Sequence, residues 1–317
     1  MKILRKTRSA SLAIVSAALA FFFAVMVVVL LPAHAEYAQV GEHAELPQLF
    51  VSSYSQETQD RQSSRLKYHW EDRFSASEKR KLQRWLNETH NALEALVGEL
   101  PFTTHIYMNR ARAGEPVPWA HTERSHIQGV HFHVDPSFSL QEFRKDWTAP
   151  HELSHLVLPY VGQRNSWFAE GFASYMQYQV MHKMGVMSTQ DMRRRYQKNL
   201  NKAESRYRHN RTPFAKAARK LRAERNYPTM YWGGAALFLE ADTMLMNNNN
   251  PGLVAALNAY TQCCRMQNHE LEDVVSELDR LSDSNNLSEL LTKFKTQPGF
   301  PKHRELHMGP SDSRLSQ

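Results

Sequence analysis

Two histidines and a glutamate lie close together in the run His151-Glu152-Leu153-Ser154-His155. If this run is helical, residues four apart share one face, so both imidazoles can reach a single cation. Glu152 lies about 100° further round the helix, where its carboxylate can act on water without filling a ligand position. Two nitrogen ligands, an open coordination position and a neighbouring base are the parts of a hydrolytic zinc site. These residue types therefore predict a zinc hydrolase, and a peptidase in particular.

The residues around this motif favour a buried helix. Pro150 suits the first turn of a helix, where its missing N–H is no loss. Leu153 and the apolar residues 156–158 surround the histidines, and Pro159 would end the helix. The alternative is an amphipathic helix whose histidines bind nothing, because so short a motif also occurs by chance.

A tetrahedral catalytic zinc needs a third protein ligand, and Glu170 is the nearby candidate. It is the only carboxylate in the apolar run 167–175, which reads as a second helix. A carboxylate in so apolar a setting is costly unless it is paired or binds a metal. We therefore expect one zinc ion per chain, bound by His151, His155 and Glu170. The alternative is a Glu170 that faces solvent near the start of its helix.

Together these motifs resemble those of the gluzincin metallopeptidases. The pattern His-Glu-x-x-His from residue 151, followed by Trp-x-x-Glu-Gly-x-Ala-x-Tyr from residue 167, is similar to the alanyl- and glycyl-aminopeptidase branches and to the looser peptidase-MA-like group. The run 231–235, Tyr-Trp-Gly-Gly-Ala, is similar to the segment whose tyrosine stabilises the tetrahedral oxyanion in that family. The resemblance implies Glu152 as general base and Tyr231 as oxyanion donor, with Tyr227 as the alternative donor.

The resemblance also implies a fold. We expect an α+β protein with a gluzincin-like catalytic domain, in which an N-terminal α/β lobe with an edge strand precedes a mainly helical lobe. The corresponding divisions are residues 36–146 for the first lobe, 147–300 for the helical lobe with the metal site, and 301–317 for a polar tail.

The chain departs from the aminopeptidase pattern in four places. Residues 156–169 form a shorter spacer before the third ligand, which suits the peptidase-MA-like group better. Gln177 stands where an acidic residue is common, and Gly233 replaces the usual lysine. Residues 127–134 lack the Gly-x-Met-x-Asn pattern that reads a free amino terminus. We therefore expect zinc-dependent hydrolysis, while the choice between endopeptidase and exopeptidase stays open.

One strand candidate before the metal motif bears on substrate binding. Residues 130–134 alternate like a strand, which puts His131 and His133 on one face as polar or substrate-facing residues, with a metal role as the weaker alternative. We expect this strand to pair with an extended substrate, and residues 109–126 to form a polar loop.

The N-terminal residues 1–35 have the composition of a targeting segment. Four cations (Lys2, Arg5, Lys6 and Arg8) precede an uncharged apolar run. Ala33-His34-Ala35 then offers a signal-peptidase site, although the run is long enough to span a bilayer as an uncleaved anchor. We expect export to a bacterial periplasm, either free or anchored in the membrane and facing it.

Charge and cysteine content limit the partners. Without the four N-terminal cations the formal net charge falls from +7 to +3. Basic residues concentrate in 193–225, as a solvated helical face or, alternatively, a surface for anionic lipid or an acidic partner. No nucleic-acid motif is present, and we expect a peptide or protein substrate. Cys263 and Cys264 are adjacent, and we expect two packed thiols.

A function of another class fits the same residues. The chain could be a zinc-binding envelope scaffold whose active site has degenerated. Against this, a scaffold has no need of Glu152 beside its ligands.

Overall fold

The computed structural model describes residues 65–248, 250–267, 270–301 and 303. The predicted targeting segment 1–35 and nearly all of the predicted tail lie outside the described residues. Within them, no helix combines the length and the apolar character that crossing a bilayer requires.

Four strands form one mixed sheet near the start of the described chain. They are β1 (Leu66–Trp70), β2 (Thr104–Arg110), β3 (Trp119–Arg124) and β4 (Gln128–Val134). Their spatial order is β1-β2-β4-β3. Strand β2 runs parallel to both β1 and β4, whereas β3 runs antiparallel to β4. One border of the sheet is therefore β3, the strand nearest in sequence to β4.

The position of β3 corrects two expectations. Residues 109–126 were expected to form a loop, but Trp119–Arg124 is a strand. Residues 130–134 do form a strand, as predicted, but β4 is paired on both sides and has no free edge for a substrate. The expected pairing of substrate with β4 is therefore wrong. Four polar or charged residues in a row, 121–124, gave β3 too weak an alternation to be recognised.

Helix α1 (Ala76–Val97) makes the crossover that joins the parallel strands β1 and β2. Ser75 and Glu78 form a reciprocal capping box at its start, and it ends at Gly98. Its Trp85 packs against Phe132 of β4, with ring centroids 5.6 Å apart. This contact places the main core of the lobe between α1 and the sheet.

The opposite face of the sheet carries stacked aromatic and imidazole rings. His131 and His133 lie on this face, as the strand period predicts, while Val130 and Phe132 are fully buried on the other. The ring of His131 stacks on Tyr107 at 4.2 Å between centroids. Neither histidine belongs to a three-ligand cluster among the described residues, so their metal role has no support.

Helices dominate the rest of the described chain. They are α2 (Leu140–Lys145), α3 (Thr148–Ser154), α4 (Ser166–Lys183), α5 (Thr189–Tyr207), α6 (Phe214–Ala223), α7 (Tyr227–Asn247), α8 (Leu253–Cys263), α9 (Leu271–Leu281) and α10 (Asn286–Thr296). Two 3₁₀ turns, His155–Val157 and Gln163–Asn165, lie between α3 and α4. A small sheet followed by packed helices confirms the predicted α+β fold class.

Helices α4 and α7 cross so closely that two glycines are required. A Cβ on Gly171 would lie 2.3 Å from the carbonyl carbon of Gly234, and a Cβ on Gly234 would lie 2.1 Å from the carbonyl oxygen of Trp167. A third glycine, Gly233, faces the ring of Phe214 at 2.2 Å from its notional Cβ. A lysine at position 233 would therefore collide with that ring, which explains one departure from the aminopeptidase pattern.

The basic segment and the two cysteines lie in the helical part. Of the thirteen Lys and Arg residues in 193–225, all are exposed except Arg193 and Arg222, in keeping with a solvated face. The expectation of two packed thiols is wrong, because Cys263 and Cys264 form a disulfide with each other at the end of α8.

The close crossing predicts the effect of Gly171→Ala on stability. Alanine is the better helix former by about 1 kcal/mol, so a neutral site would gain stability. Here the added methyl meets backbone, and we expect the free energy of unfolding to fall by about 2 kcal/mol in urea titrations. The control is Glu240→Ala, at a half-exposed site on α7, expected to change it by less than about 0.5 kcal/mol. A Gly171→Ala protein more stable than the wild type would show that α4 and α7 do not approach each other so closely.

Candidate metal centre

Three predicted ligands converge at one point. His151 lies on α3, His155 begins the following 3₁₀ turn, and Glu170 lies in the second turn of α4. Glu170 Oε2 is 3.2 Å from His151 Nε2 and 3.4 Å from His155 Nε2. One ligand atom from each residue lies within 4.8 Å of the other two. Two imidazole nitrogens and a carboxylate oxygen directed at a common point are a donor set suited to zinc.

Gln177 orients one of the imidazoles. Its side-chain oxygen Oε1 lies 2.9 Å from His151 Nδ1, deep in the core. An amide oxygen only accepts, so Nδ1 carries a proton, and in the neutral imidazole Nε2 is the nitrogen left to bind a metal. A carboxylate commonly has this role beside a ligating histidine, and here a neutral amide supplies the acceptor. Glutamine in place of the acidic residue common at position 177 therefore still provides a contact that orients His151.

Burial and mutual charge set the protonation of the three groups. Burial acts to lower the pKa of His151, but the hydrogen bond to Glu170 and the charges of Glu152 and Glu170 raise it overall. At His155 burial prevails and the pKa is lowered. Burial acts to raise the pKa of Glu170, yet the two imidazoles hold it far below its usual range. Glu170 is therefore an anion at neutral pH, as a metal ligand must be.

Thr122 of β3 holds the predicted base. Its hydroxyl lies 2.8 Å from Glu152 Oε2 and 2.7 Å from the backbone oxygen of Glu152. The single hydroxyl proton is donated to one oxygen at a time, so the contact fixes the side chain against the strand. Oε1 of Glu152 remains as the oxygen available to take up a proton.

Tyr231 lies beside the ligands at the start of α7. Its ring stacks on that of His151 with centroids 5.8 Å apart. Burial raises the pKa of the Tyr231 phenol well above its ordinary value, and the charges of Glu170 and Glu152 raise it further. The hydroxyl therefore keeps its proton and can act as a donor. Tyr227, one turn earlier, has its ring 6.2 Å from that of Tyr231.

Two arginines donate hydrogen bonds to backbone carbonyls just beyond α3, which is called the metal helix from here on. Arg124 Nη1 donates to the backbone oxygen of His155 at 3.1 Å. Arg265 Nε donates to the backbone oxygen of Leu156 at 2.7 Å, and its Nη2 donates to Gln128 Oε1 at 2.8 Å. The last carbonyls of a helix have no partner within the helix, so such donors fix the backbone that carries His155.

The structure thus brings together all five predicted site residues, and adds four that the sequence did not reveal. The added residues are Thr122, Gln177 as an orienting group, Arg124 and Arg265. Their partners lie 30, 26, 31 and 109 positions away in the chain. Only Gln177 had a sequence signal, its helical spacing of seven from Glu170, which puts the two on one face of α4.

A family model covers the residues that form this centre. Residues 147–240 match the model of the M61 glycyl aminopeptidases. The match begins just before α3 and ends within α7, so it includes the three ligands, Glu152 and Tyr231. The gluzincin resemblance of this segment is confirmed. Among curated proteins, none matches the chain.

Several solved structures of M1 zinc metallopeptidases align with the chain. One, from Deinococcus radiodurans, is 13% identical with a TM-score of 0.45, covering 75% of this chain and 50% of that one. A mutant from the same organism, bound to a Tyr-Ser-Ala substrate, is 15% identical with a TM-score of 0.46, covering 74% and 49%. A two-domain mutant bound to L-arginine is 13% identical with a TM-score of 0.47, covering 75% and 49%. The chain spans about half the length of these structures.

The contact between Gln177 and His151 predicts a change in zinc affinity. Gln177→Leu removes the acceptor that fixes the Nδ1–H tautomer, and we expect zinc to bind about 10- to 100-fold more weakly. Gln177→Glu keeps an acceptor and should bind zinc at least as tightly as the wild type. Competition with a chromophoric chelator measures both affinities. Equal zinc affinity in wild type and Gln177→Leu would contradict the orienting role.

The contact between Thr122 and Glu152 predicts a loss of turnover rather than of metal. Thr122→Val has the same shape without the donor, and we expect kcat to fall about tenfold, with zinc content unchanged. Thr122→Ser keeps the hydroxyl and should retain most of the activity. A drop in zinc content in Thr122→Val, or equal kcat values for the two variants, would show that Thr122 does not act through Glu152.

Proposed function

We propose that this chain is a zinc-dependent peptidase of the cell envelope, with one zinc ion bound by His151, His155 and Glu170. The observation that carries the proposal is the convergence of ligand atoms from two separate helices beside an acidic side chain that ligates nothing. The family match over the same residues supports peptide hydrolysis as the reaction. Glu152 and Tyr231 are the proposed catalytic residues.

The residues of the chain have distinct tasks in this reaction. Zinc at the centre would polarise the scissile carbonyl and make a water molecule acidic enough to lose a proton near neutral pH. Glu152 takes that proton at Oε1, while Thr122 occupies Oε2. The phenol of Tyr231 donates to the oxyanion of the tetrahedral substrate, an interaction worth about 3 kcal/mol by analogy with other oxyanion donors. Glu152 then returns its proton to the leaving amine.

The free edge of β3 is the proposed docking edge for an extended substrate. Within the described residues β3 pairs with β4 alone, so its outer N–H and C=O groups are open to another strand. Pairing there would align a peptide alongside Thr122, the strand residue that contacts Glu152. This replaces β4 as the substrate strand.

The proposed location is outside the cytosol. The cationic and apolar composition of residues 1–35 supports export, with either cleavage after Ala35 or retention as an anchor. The disulfide between Cys263 and Cys264 is in keeping with an oxidising compartment. The exposed cations of residues 193–225 could in addition favour an anionic membrane surface.

Two substitutions test the proposed function separately at the base and at a ligand. We expect Glu152→Gln to keep about one zinc per chain and to lose peptide hydrolysis by at least about a thousandfold, because no group then accepts the proton of the attacking water. We expect Glu170→Ala to lose most of its zinc, because two imidazoles alone hold the ion weakly.

The measurements are elemental analysis of the purified protein and hydrolysis of a mixed set of free and N-blocked peptides. Glu240→Ala is the matched control, since it removes a carboxylate from the half-exposed part of α7 and should change neither result. A zinc-loaded wild type that hydrolyses no peptide would favour the scaffold function instead. Peptide hydrolysis by a folded Glu152→Gln protein would refute the role of Glu152 as general base.

A further inference from the structure

A cavity of about 390 Å³ lies next to the candidate metal centre. Its wall is formed by residues 160–163, by Ser166, Ala169 and Glu170 of α4, and by two arginines. Arg124 comes from the edge strand β3 and Arg222 from α6. The volume is in the range of small-ligand pockets, and the shared wall at Glu170 places the cavity where part of a substrate would lie.

Neither guanidinium in this wall has an anionic partner. No Asp or Glu among the described residues lies within 4.0 Å of the guanidinium nitrogens of Arg124 or Arg222. Arg124 donates one N–H to the backbone oxygen of His155, and the other N–H groups of its planar guanidinium remain available to a ligand. Arg222 is half-buried, unlike most of the cations in the basic segment. Two cations without an ion-pair partner in the wall of one cavity would therefore be stabilised by an anion that enters it.

The charges of the metal centre do not supply this anion. Burial lowers the pKa of Arg124 overall, although the charges of Glu170 and Glu152 act to raise it from beyond ion-pair distance. Glu170 would share its charge with a bound cation, and Glu152 must take up a proton in the proposed reaction. A loaded centre therefore leaves the cavity more positive, not less.

We infer that the cavity is a subsite for a carboxylate of the substrate, bound by Arg222 together with Arg124. The inference rests on the proposed function, since it assigns the cavity to the substrate of the same centre. A planar guanidinium binds a carboxylate through two parallel hydrogen bonds, so the pair would select charge and orientation together. A protonated amino terminus would be repelled there, in agreement with the missing Gly-x-Met-x-Asn pattern. The carboxylate is either the C-terminus of a peptide or an Asp or Glu side chain.

The mouth of the cavity suits a peptide that enters from solvent. Tyr160 is 57% exposed there, although it is a large aromatic side chain. The guanidinium carbon of Arg124 lies 5.8 Å from the centre of its ring. An exposed ring beside a cationic wall can cover the apolar part of a residue whose carboxylate reaches the arginines.

Binding to a protein that cannot turn over the ligand tests this subsite. The full chain carrying Glu152→Gln and loaded with zinc is titrated by calorimetry with four N-acetylated hexapeptides. They are hexaalanine as the free acid, hexaalanine amide, and two amides in which one central alanine is replaced by glutamate or by glutamine. We expect one carboxylate peptide to bind about tenfold more tightly than its neutral counterpart. Preference for the free acid identifies a C-terminal carboxylate, and preference for the glutamate amide identifies an acidic side chain.

Two arginine variants in the same background assign the preference to the cavity. Arg222→Gln should abolish it without weakening the neutral peptides. Arg219→Gln, at an exposed site on the same helix, should leave it intact. Arg124→Lys keeps the charge but loses the planar guanidinium with its two parallel donors, and should reduce the preference for carboxylate peptides. Equal binding of all four peptides, or equal loss in Arg222→Gln and Arg219→Gln, would overturn the subsite.

The outcomes separate this inference from the proposed function. If the carboxylate preference depends on Arg222 but the wild type cleaves none of the peptides, the subsite stands and the peptidase function fails. If the wild type cleaves peptides with no carboxylate preference in binding, the function stands and the subsite fails.

Discussion

The close crossing of α4 and α7 is the constraint on which the site depends. Gly171 and Gly234 let the two backbones approach until a single methyl group would overlap with the facing chain. Glu170, the proposed third ligand, comes directly before Gly171, and Tyr231 comes three residues before Gly234. A proposed ligand and a proposed hydrogen-bond donor from separate helices thus reach the same point because nothing larger than hydrogen lies between the two backbones. A wider crossing would move them apart, however well either helix formed.

The metal helix needs its own support because it is short. The helix α3 ends at Ser154, and His155 already belongs to a 3₁₀ turn, so its N–H is the last that donates back to the carbonyl of His151. Arg124 and Arg265 make up for this by donating to the carbonyls at its end. Placing cations there also suits the negative end of the helix dipole. The guanidinium of Arg124 also lines the cavity beside Glu170. One side chain therefore both supports the backbone of the candidate centre and places a positive charge at the cavity.

Local spacing explains which parts were predictable. His151, His155 and the proposed base Glu152 lie within four residues of one another, so helical geometry alone relates them. Glu170 could be proposed because a carboxylate among apolar residues needs a partner. Thr122 could not, since nothing about an isolated threonine indicates a contact with a residue 30 positions later. The order of the strands was missed for a similar reason, because the antiparallel return of β3 depends on pairing and not on its own composition.

The location of β3 joins these observations into one view of substrate binding. Alternate residues of a strand face the same side, so Thr122 and Arg124 are directed together towards the metal helix, where one contacts Glu152 and the other His155. The edge strand therefore supplies both a contact that supports Glu152, the proposed base, and a cation at the cavity. A peptide paired along that edge would have its backbone held by β3 and its carboxylate drawn towards Arg124 and Arg222. Strand β3 would then both select a substrate by its negative charge and align its backbone for hydrolysis. A chain that binds its substrate in this way needs no separate motif that binds a free amino terminus.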